Sequence, residues 1–292
     1  VWYNTGIESR RRQMNVLRVF PRRTAATPDD DLVRIGYPDL FPPECDEIDV
    51  SVTFTYDLPN AEKMAEAWGR IAPTRIGGPA TGDPGGDFVP GLYLKKGYVI
   101  TSRGCPNRCW FCMAARREGD IRELPITDGW NVLDNNLLAC SQDHIYLVFE
   151  MLSRQTRKAE FTGGLEAARL TPDTAGRLAL LKPRRIYFAY DTPNDRAPLA
   201  EAARMLWDAG MKPCSHIVSA YVLVGYPNDT LREADGRLRY VASLGILPFA
   251  MLYRDDAGKV NQTWRRFQRE WCRPSIVGTK LRVRDNESIS GL

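Results

Sequence analysis

Along the first hundred residues, apolar positions come in short runs broken by proline and glycine. The run from Met14 to Phe20 predicts a strand at 14–20, and a Pro-rich loop through Pro42 and Pro43 leads to a second strand at 48–55. A helical pattern at about 60–71 follows, then a short strand ending in Gly77-Gly78-Pro79 and a Gly/Pro-rich linker from 79 to 90. Residues 14–95 therefore form a small, shortened α/β domain. Residues 1–13, with Arg10, Arg11 and Arg12 in a row, read as an N-terminal extension.

From residue 96 to 256 the pattern changes to regular alternation. Strands are expected at 97–101, 130–137, 159–162, 185–190, 217–224 and 246–252, with helices at about 143–156, 172–181, 198–209 and 229–243. Thr171 and Asp173 suit the start of the second helix, and Gly210 and Gly245 sit where helices end. Six strands with helices between them predict a partial (β/α)6 barrel, with its chemistry at the C-terminal ends of the strands. The tail, 257–292, starts with a helix. Trp264, Phe267 and Trp271 form one stripe that packs on the barrel, with Arg265, Arg266, Arg269 and Arg273 on other faces.

Composition narrows the class without choosing a substrate. In 292 residues, 43% hydrophobic and 26% charged, no apolar run is long enough to span a membrane, and a cytoplasmic enzyme is expected. The net charge of +4 permits nucleic acid as a partner but does not demand it. Seven cysteines are an odd number, and three crowd together while Cys45, Cys140, Cys214 and Cys272 stand alone. That distribution suits a metal site in a reducing compartment better than a disulfide framework.

The crowded three are Cys105, Cys109 and Cys112, in Thr101-Ser102-Arg103-Gly104-Cys105-Pro106-Asn107-Arg108-Cys109-Trp110-Phe111-Cys112, directly after the first barrel strand. A zinc site usually closes with a fourth Cys or His nearby, and His144 is far along the chain. A [4Fe-4S] cluster ordinarily takes four thiolates, so three leave one iron open. This C-x3-C-x2-C run, with Phe111 before its last cysteine, resembles the radical S-adenosylmethionine superfamily. The resemblance implies a [4Fe-4S] cluster on these cysteines, S-adenosylmethionine as cosubstrate at the open iron, and an external one-electron reductant such as flavodoxin or ferredoxin.

Other strand ends extend the resemblance. Asp134, Asn135 and Asn136 close the second strand where the superfamily places a Gly-Gly-Glu-like segment for the cosubstrate's ammonium. Gly163, Gly164 and Glu166 close the third, as an alternative ammonium or ribose site or a tight strand-to-helix turn. Tyr190 and Asp191 close the fourth, where the family places a ribose contact, although Asp191 is equally suited to cap a helix. Gly225 closes the fifth and is similar to the adenine-facing stretch. With Phe111, these residues would surround one nucleoside.

The implied reaction is cleavage to a 5′-deoxyadenosyl radical that takes hydrogen from an unidentified substrate. No protein acid or base is required, and the two histidines read as structural, His144 on a helix surface and His216 at a strand entrance. Cys272 is a candidate thiol hydrogen donor, or else a small buried residue. Residues 47–54 and Arg75-Ile76-Gly77-Gly78-Pro79 resemble the front of cobalamin-dependent members, shortened to a domain that has lost the cofactor. Cobalamin-dependent methyl transfer is the second reading. A third, from another class, is a nucleic-acid-binding module with a structural cluster and base-stacking aromatics in the tail.

Overall fold

The computed structural model describes residues 15–83, 87–255 and 258–289, so the extension at 1–13 lies outside the described residues. Two compact units divide the chain, Val1–Asp83 and Pro84–Leu292. The division falls inside the Gly/Pro-rich stretch, ahead of the boundary expected after residue 95.

In the first unit the strands β1 (Val16–Phe20), β2 (Val33–Ile35), β3 (Glu47–Ser51) and β4 (Thr74–Gly77) form one parallel sheet in the order β2-β1-β3-β4. The only α-helix described here, α1 (Leu58–Trp68), connects β3 to β4. Its buried residues Ala61, Met64 and Trp68 share one face, and they cover Leu17, Val19, Ile48 and Val50 of the sheet. Strand β2 is too short to show a pattern in the sequence. The glycine turn after β4 is needed sterically: Gly78 has φ 100°, and a Cβ there would stand 2.8 Å from the Val52 carbonyl oxygen.

The second unit starts with β5 (Tyr98–Val99) and a small antiparallel hairpin, β6 (Ser102–Arg103) with β7 (Arg122–Glu123), which encloses α2 (Ala114–Glu118). Then strands and helices alternate: β8 (Asn131–Val132), α3 (Gln142–Ser153), β9 (Glu160–Leu165), α4 (Pro172–Leu181), β10 (Arg185–Tyr190), α5 (Arg196–Asp208), β11 (Val218–Val224), α6 (Leu231–Ser243) and β12 (Leu247–Leu252). Two helices, α7 (Gln262–Trp271) and α8 (Pro274–Ile289), end the unit. Six parallel strands pair in chain order, β5-β8-β9-β10-β11-β12. Among the described residues no pairing joins β5 to β12, so the sheet is open and the α/β class holds without a closed barrel.

Alternation along the strands sorts the side chains. Phe161, Ile186, Phe188, Ala220 and Val222 join Leu178, Leu199 and Leu238 of the helices in one core. The helix starts follow the chemistry read from the sequence: the Thr171 hydroxyl accepts from the Thr174 N–H, and Thr230 accepts from Glu233. Gly210 and Gly245, at φ 93° and 79°, follow the ends of α5 and α6. In the tail Trp271 is fully buried, with Trp264 and Phe267 packed against the same core, as the stripe requires.

Two expectations need correction. The runs at 97–101 and 130–137 give strands of only two residues each, because the chain leaves the sheet at Thr101 for the hairpin and Leu137 enters a 3-10 turn. His144 is not on the helix surface: it faces inward, 7% exposed, with Nδ1 3.7 Å from Glu123. Cys272 lies in the helix layer outside the sheet, its thiol donating to the Ala250 carbonyl at 3.2 Å, and burial pushes it up to about 11. No described helix is long and apolar enough to cross a membrane.

Candidate functional site

The cysteine loop leaves the sheet at the C-terminal end of β5 and is pinned at its neck. Gly104, at φ 82°, lies so close to the Asp120 carbonyl that a Cβ would stand 2.2 Å from it. Its N–H donates to Glu118 Oε2 at 3.1 Å and to Asn135 Oδ1 at 3.0 Å, while the Cys105 N–H donates to the Gly119 carbonyl at 3.1 Å. Residues 104–119 thus form a closed loop that holds three free, half-buried thiols. Further along, the Cys112 N–H turns back onto the Cys109 carbonyl at 3.1 Å. Two N–H groups address sulfur, Ala114 N–H toward Cys112 Sγ and Asn136 Nδ2 toward Cys105 Sγ, each at 3.5 Å.

Burial first, and then the neighbouring Cys112, Cys105, Asp191 and Asp195, push the Cys109 thiol up. A cation at the sulfurs would reverse that tendency and favour the thiolate. No group of three or more described His, Cys, Asp or Glu forms a cage for a metal ion. A cubane spreads three thiolates over three separate irons rather than around one ion, and three free sulfurs, two of them served by N–H donors, are the donor set it takes.

The strand-end residues divide into those that face this loop and those that do not. Asp134 is 1% exposed and fully engaged: it accepts from Thr101 N–H and Thr101 Oγ1, both at 2.6 Å, and from Ser102 Oγ at 2.7 Å. It ties the end of β8 to the end of β5, and Asn135 helps pin the loop. Burial pushes the Asp134 carboxyl up against the opposing pull of these bonds. Asn136 is the residue that reaches the loop's interior. Its Nδ2 donates to Glu166 Oε2 at 2.6 Å, and its Oδ1 is buried with no partner. Burial would raise the Glu166 carboxyl, yet hydrogen bonds from Asn136, Asn107 and Arg169 outweigh it and hold the group below its ordinary value. Asn136, Glu166, Asn107 and Cys105 make one polar pocket wall with an ionised carboxylate and a vacant acceptor.

The two glycines of β9 differ in role. A Cβ on Gly163 would stand 2.5 Å from the Asp134 carbonyl, so this glycine permits strand contact, whereas Gly164, at φ 95°, borders open space. On β10, alternation sends Tyr190 into the helix layer, edge-on to Tyr240, and away from the loop. Asp191 takes the opposite side. Its backbone N–H is held by Asp195 Oδ2 at 3.0 Å. Burial first, and then the charge of Asp195, push its own carboxyl up to about 7. Gly225, at φ 75°, has its N–H bonded to Asp229 Oδ2 at 2.8 Å, and a Cβ on it would stand 3.0 Å from the Trp264 ring. The close approach this glycine allows is to α7.

No protein-family model matches the chain, and no curated protein matches it.

Several members of the site carry no signal in the sequence. Asn107 and Glu118 are unremarkable by spacing. Trp110, half exposed, meets Tyr253 at 5.6 Å and Tyr226 at 6.0 Å between ring centroids, and Phe111 edge-on at 5.4 Å. The cysteine loop therefore reaches across the strand ends to the residues after β11 and β12, and aromatic contact links the two edges of the open sheet, which no strand pairing joins among the described residues.

Asp191 gives a pH prediction for the protein without metal. Folded, its carboxyl keeps the proton up to about pH 7; unfolded, it releases it near pH 4. The folded state binds the extra proton in that window, so its stability falls as pH rises through it. Asp191→Asn removes the titration. Its stability relative to wild type should rise by on the order of 2 to 4 kcal/mol between about pH 4 and 7, read by urea denaturation. A difference that stays flat with pH would contradict a buried, protonated carboxyl.

Proposed function

We propose that this chain is a radical S-adenosylmethionine enzyme acting on a substrate the sequence does not name. The observation that carries the reading is the set of three free cysteines, Cys105, Cys109 and Cys112, on one pinned loop at the C-terminal edge of six parallel strands in chain order. That edge is where such sheets place their chemistry. The open six-stranded sheet with its helices has the strand order of a partial (β/α)6 barrel.

Cys105, Cys109 and Cys112 would hold a [4Fe-4S] cluster, and the chemistry such a group supplies when bound is one-electron cleavage of the sulfonium to give a 5′-deoxyadenosyl radical. The chain's own residues bind and orient. Asn136 Oδ1 and the Glu166 carboxylate offer acceptors for an ammonium beside Cys105. Gly164 leaves room next to them. Asp191, protonated below about pH 7, presents a carboxyl on the same side as Cys109. Trp110 packs on Phe111, Tyr226 and Tyr253 over the strand ends, beside the proposed site. An external one-electron donor such as flavodoxin or ferredoxin completes the system.

Asp134, Tyr190 and Gly225 drop out of the proposed cosubstrate pocket, since each is occupied by protein contacts. So does Cys272 as a hydrogen donor, because its thiol sits in the helix layer.

With strong reductant under anaerobic conditions and no added substrate, the reconstituted protein should convert S-adenosylmethionine slowly to 5′-deoxyadenosine and methionine. Chromatography of the products decides the matter. S-adenosylhomocysteine formed only with added cobalamin supports methyl transfer, and neither product, with salt-dependent nucleic-acid binding, leaves the binding-module reading.

A further inference from the structure

At the neck of the cysteine loop lies a buried charge cluster that the proposed reaction does not use. Glu118, whose side chain is 2% exposed, faces two arginines, Arg103 at 16% and Arg117 at 14%. It is not shared evenly. Arg117 holds Oε1 closely through Nη2, with Nε at 3.0 Å, and the Gly104 N–H takes Oε2 at 3.1 Å. Arg103 reaches the same Oε1 only at 3.7 Å, and its buried Nε has no partner. Arg103 is thus a weakly paired, largely buried guanidinium two positions before Cys105. Arg108, inside the cysteine motif itself, pairs with Asp120 at the surface, where the two side chains are 75% and 78% exposed.

A charge acts on its neighbours in proportion to how little water lies between them. An iron–sulfur group gains negative charge on reduction, and its potential follows the local charge, the hydrogen bonds to its sulfurs and its exposure. Asp191 and Asp195 bring negative charge to Cys109 and help push its thiol up.

We propose that Arg103 is a positioning residue whose buried charge, balanced through Glu118, raises the reduction potential of an iron–sulfur group held on Cys105, Cys109 and Cys112. The proposal rests on the reading of these cysteines as the cluster site. Glu118 tempers the effect and fixes the neck through Gly104. The pair therefore predicts shifts of opposite sign: removing the cation makes the group harder to reduce, and removing the anion makes it easier.

The test is a mediator-poised redox titration followed by electron paramagnetic resonance, with iron and sulfide measured on each sample. Arg103→Gln should shift the midpoint to a more negative potential, and Arg103→Lys, which keeps the charge, should restore most of the shift. Glu118→Gln, which keeps an acceptor for the Gly104 N–H, should move it to a more positive potential. Arg108→Gln, exposed and screened, should stay near wild type. If Arg103→Gln does not load, the sign of the Glu118→Gln shift decides alone. Loaded variants at the wild-type potential, or shifts of the same sign in Arg103→Gln and Glu118→Gln, overturn the proposal and leave the cluster assignment intact. Wild-type protein that takes up no iron and sulfide overturns that assignment and the proposal with it.

Discussion

Cys109→Ala should abolish iron and sulfide uptake and 5′-deoxyadenosine formation together, while the protein still folds. On the proposed reading three thiolates would hold three irons, and the variant keeps only Cys105 and Cys112, so a cubane would lose a corner ligand. Cys140 cannot substitute. Its thiol hydrogen-bonds with Ser102 and is pushed up to about 11, chiefly by burial. His144 is buried beside Glu123 on α3. The fold should survive because Cys109 is only half-buried and the loop is held elsewhere, by Gly104 against Glu118 and Asn135 and by the Cys105 N–H on Gly119. Removing one partly exposed sulfur should cost about 1 kcal/mol or less. Iron and sulfide assays, visible absorption and far-ultraviolet circular dichroism on the same samples separate the effects. Wild type that takes up one zinc and no sulfide, with iron available, would sink the assignment.

How much of this could be read in the sequence depends on the range of the signal. Strand β10 and helix α4 match their expected spans because each carries an unbroken period and punctuation at its ends, Thr171 before the helix and Pro183 after it. The cysteine motif is equally local, and its place after the first strand of the larger sheet follows from chain order alone. What is not local was missed. The runs at 97–101 and 130–137 are apolar enough for longer strands, but Gly97 packs under Trp130, where a Cβ would stand 2.1 Å from the ring, and the chain then turns away. That a strand is present can be read from the sequence, whereas where it ends, and which residues near that end face the site, cannot. Tyr190 and Asp191 are adjacent in sequence and lie on opposite sides. Glu118 and Asn107 belong to the site only because the loop closes on itself, a contact between residues whose spacing has no periodic signature.

Asp134→Ala should destabilise the protein by about 3 to 5 kcal/mol, far more than a residue placed to meet a cosubstrate. From the sequence Asp134 reads as an ammonium contact, but the structure gives it three internal donors, Thr101 N–H, Thr101 Oγ1 and Ser102 Oγ, at 2.6 to 2.7 Å in a dry setting. Alanine leaves one backbone N–H and two hydroxyls with reduced options, and each buried group without a partner costs about 1 to 3 kcal/mol. It also loosens the join between the ends of β5 and β8, where the cysteine loop begins. Asparagine should be milder, at about 1 kcal/mol, because its oxygen still accepts from Thr101 N–H and the hydroxyls can rotate to accept from its amide. Glu166→Gln provides the contrast: half-exposed and held through Asn136 and Arg169, it should leave stability nearly unchanged but weaken S-adenosylmethionine binding by roughly 1.5 to 3 kcal/mol. Urea midpoints on the metal-free proteins and cosubstrate titrations on the loaded ones measure the two effects separately. If Asp134→Ala unfolds at the wild-type midpoint yet loses cosubstrate affinity, the carboxylate belongs to the pocket, and its bonds to Thr101 and Ser102 exchange for the ammonium on binding.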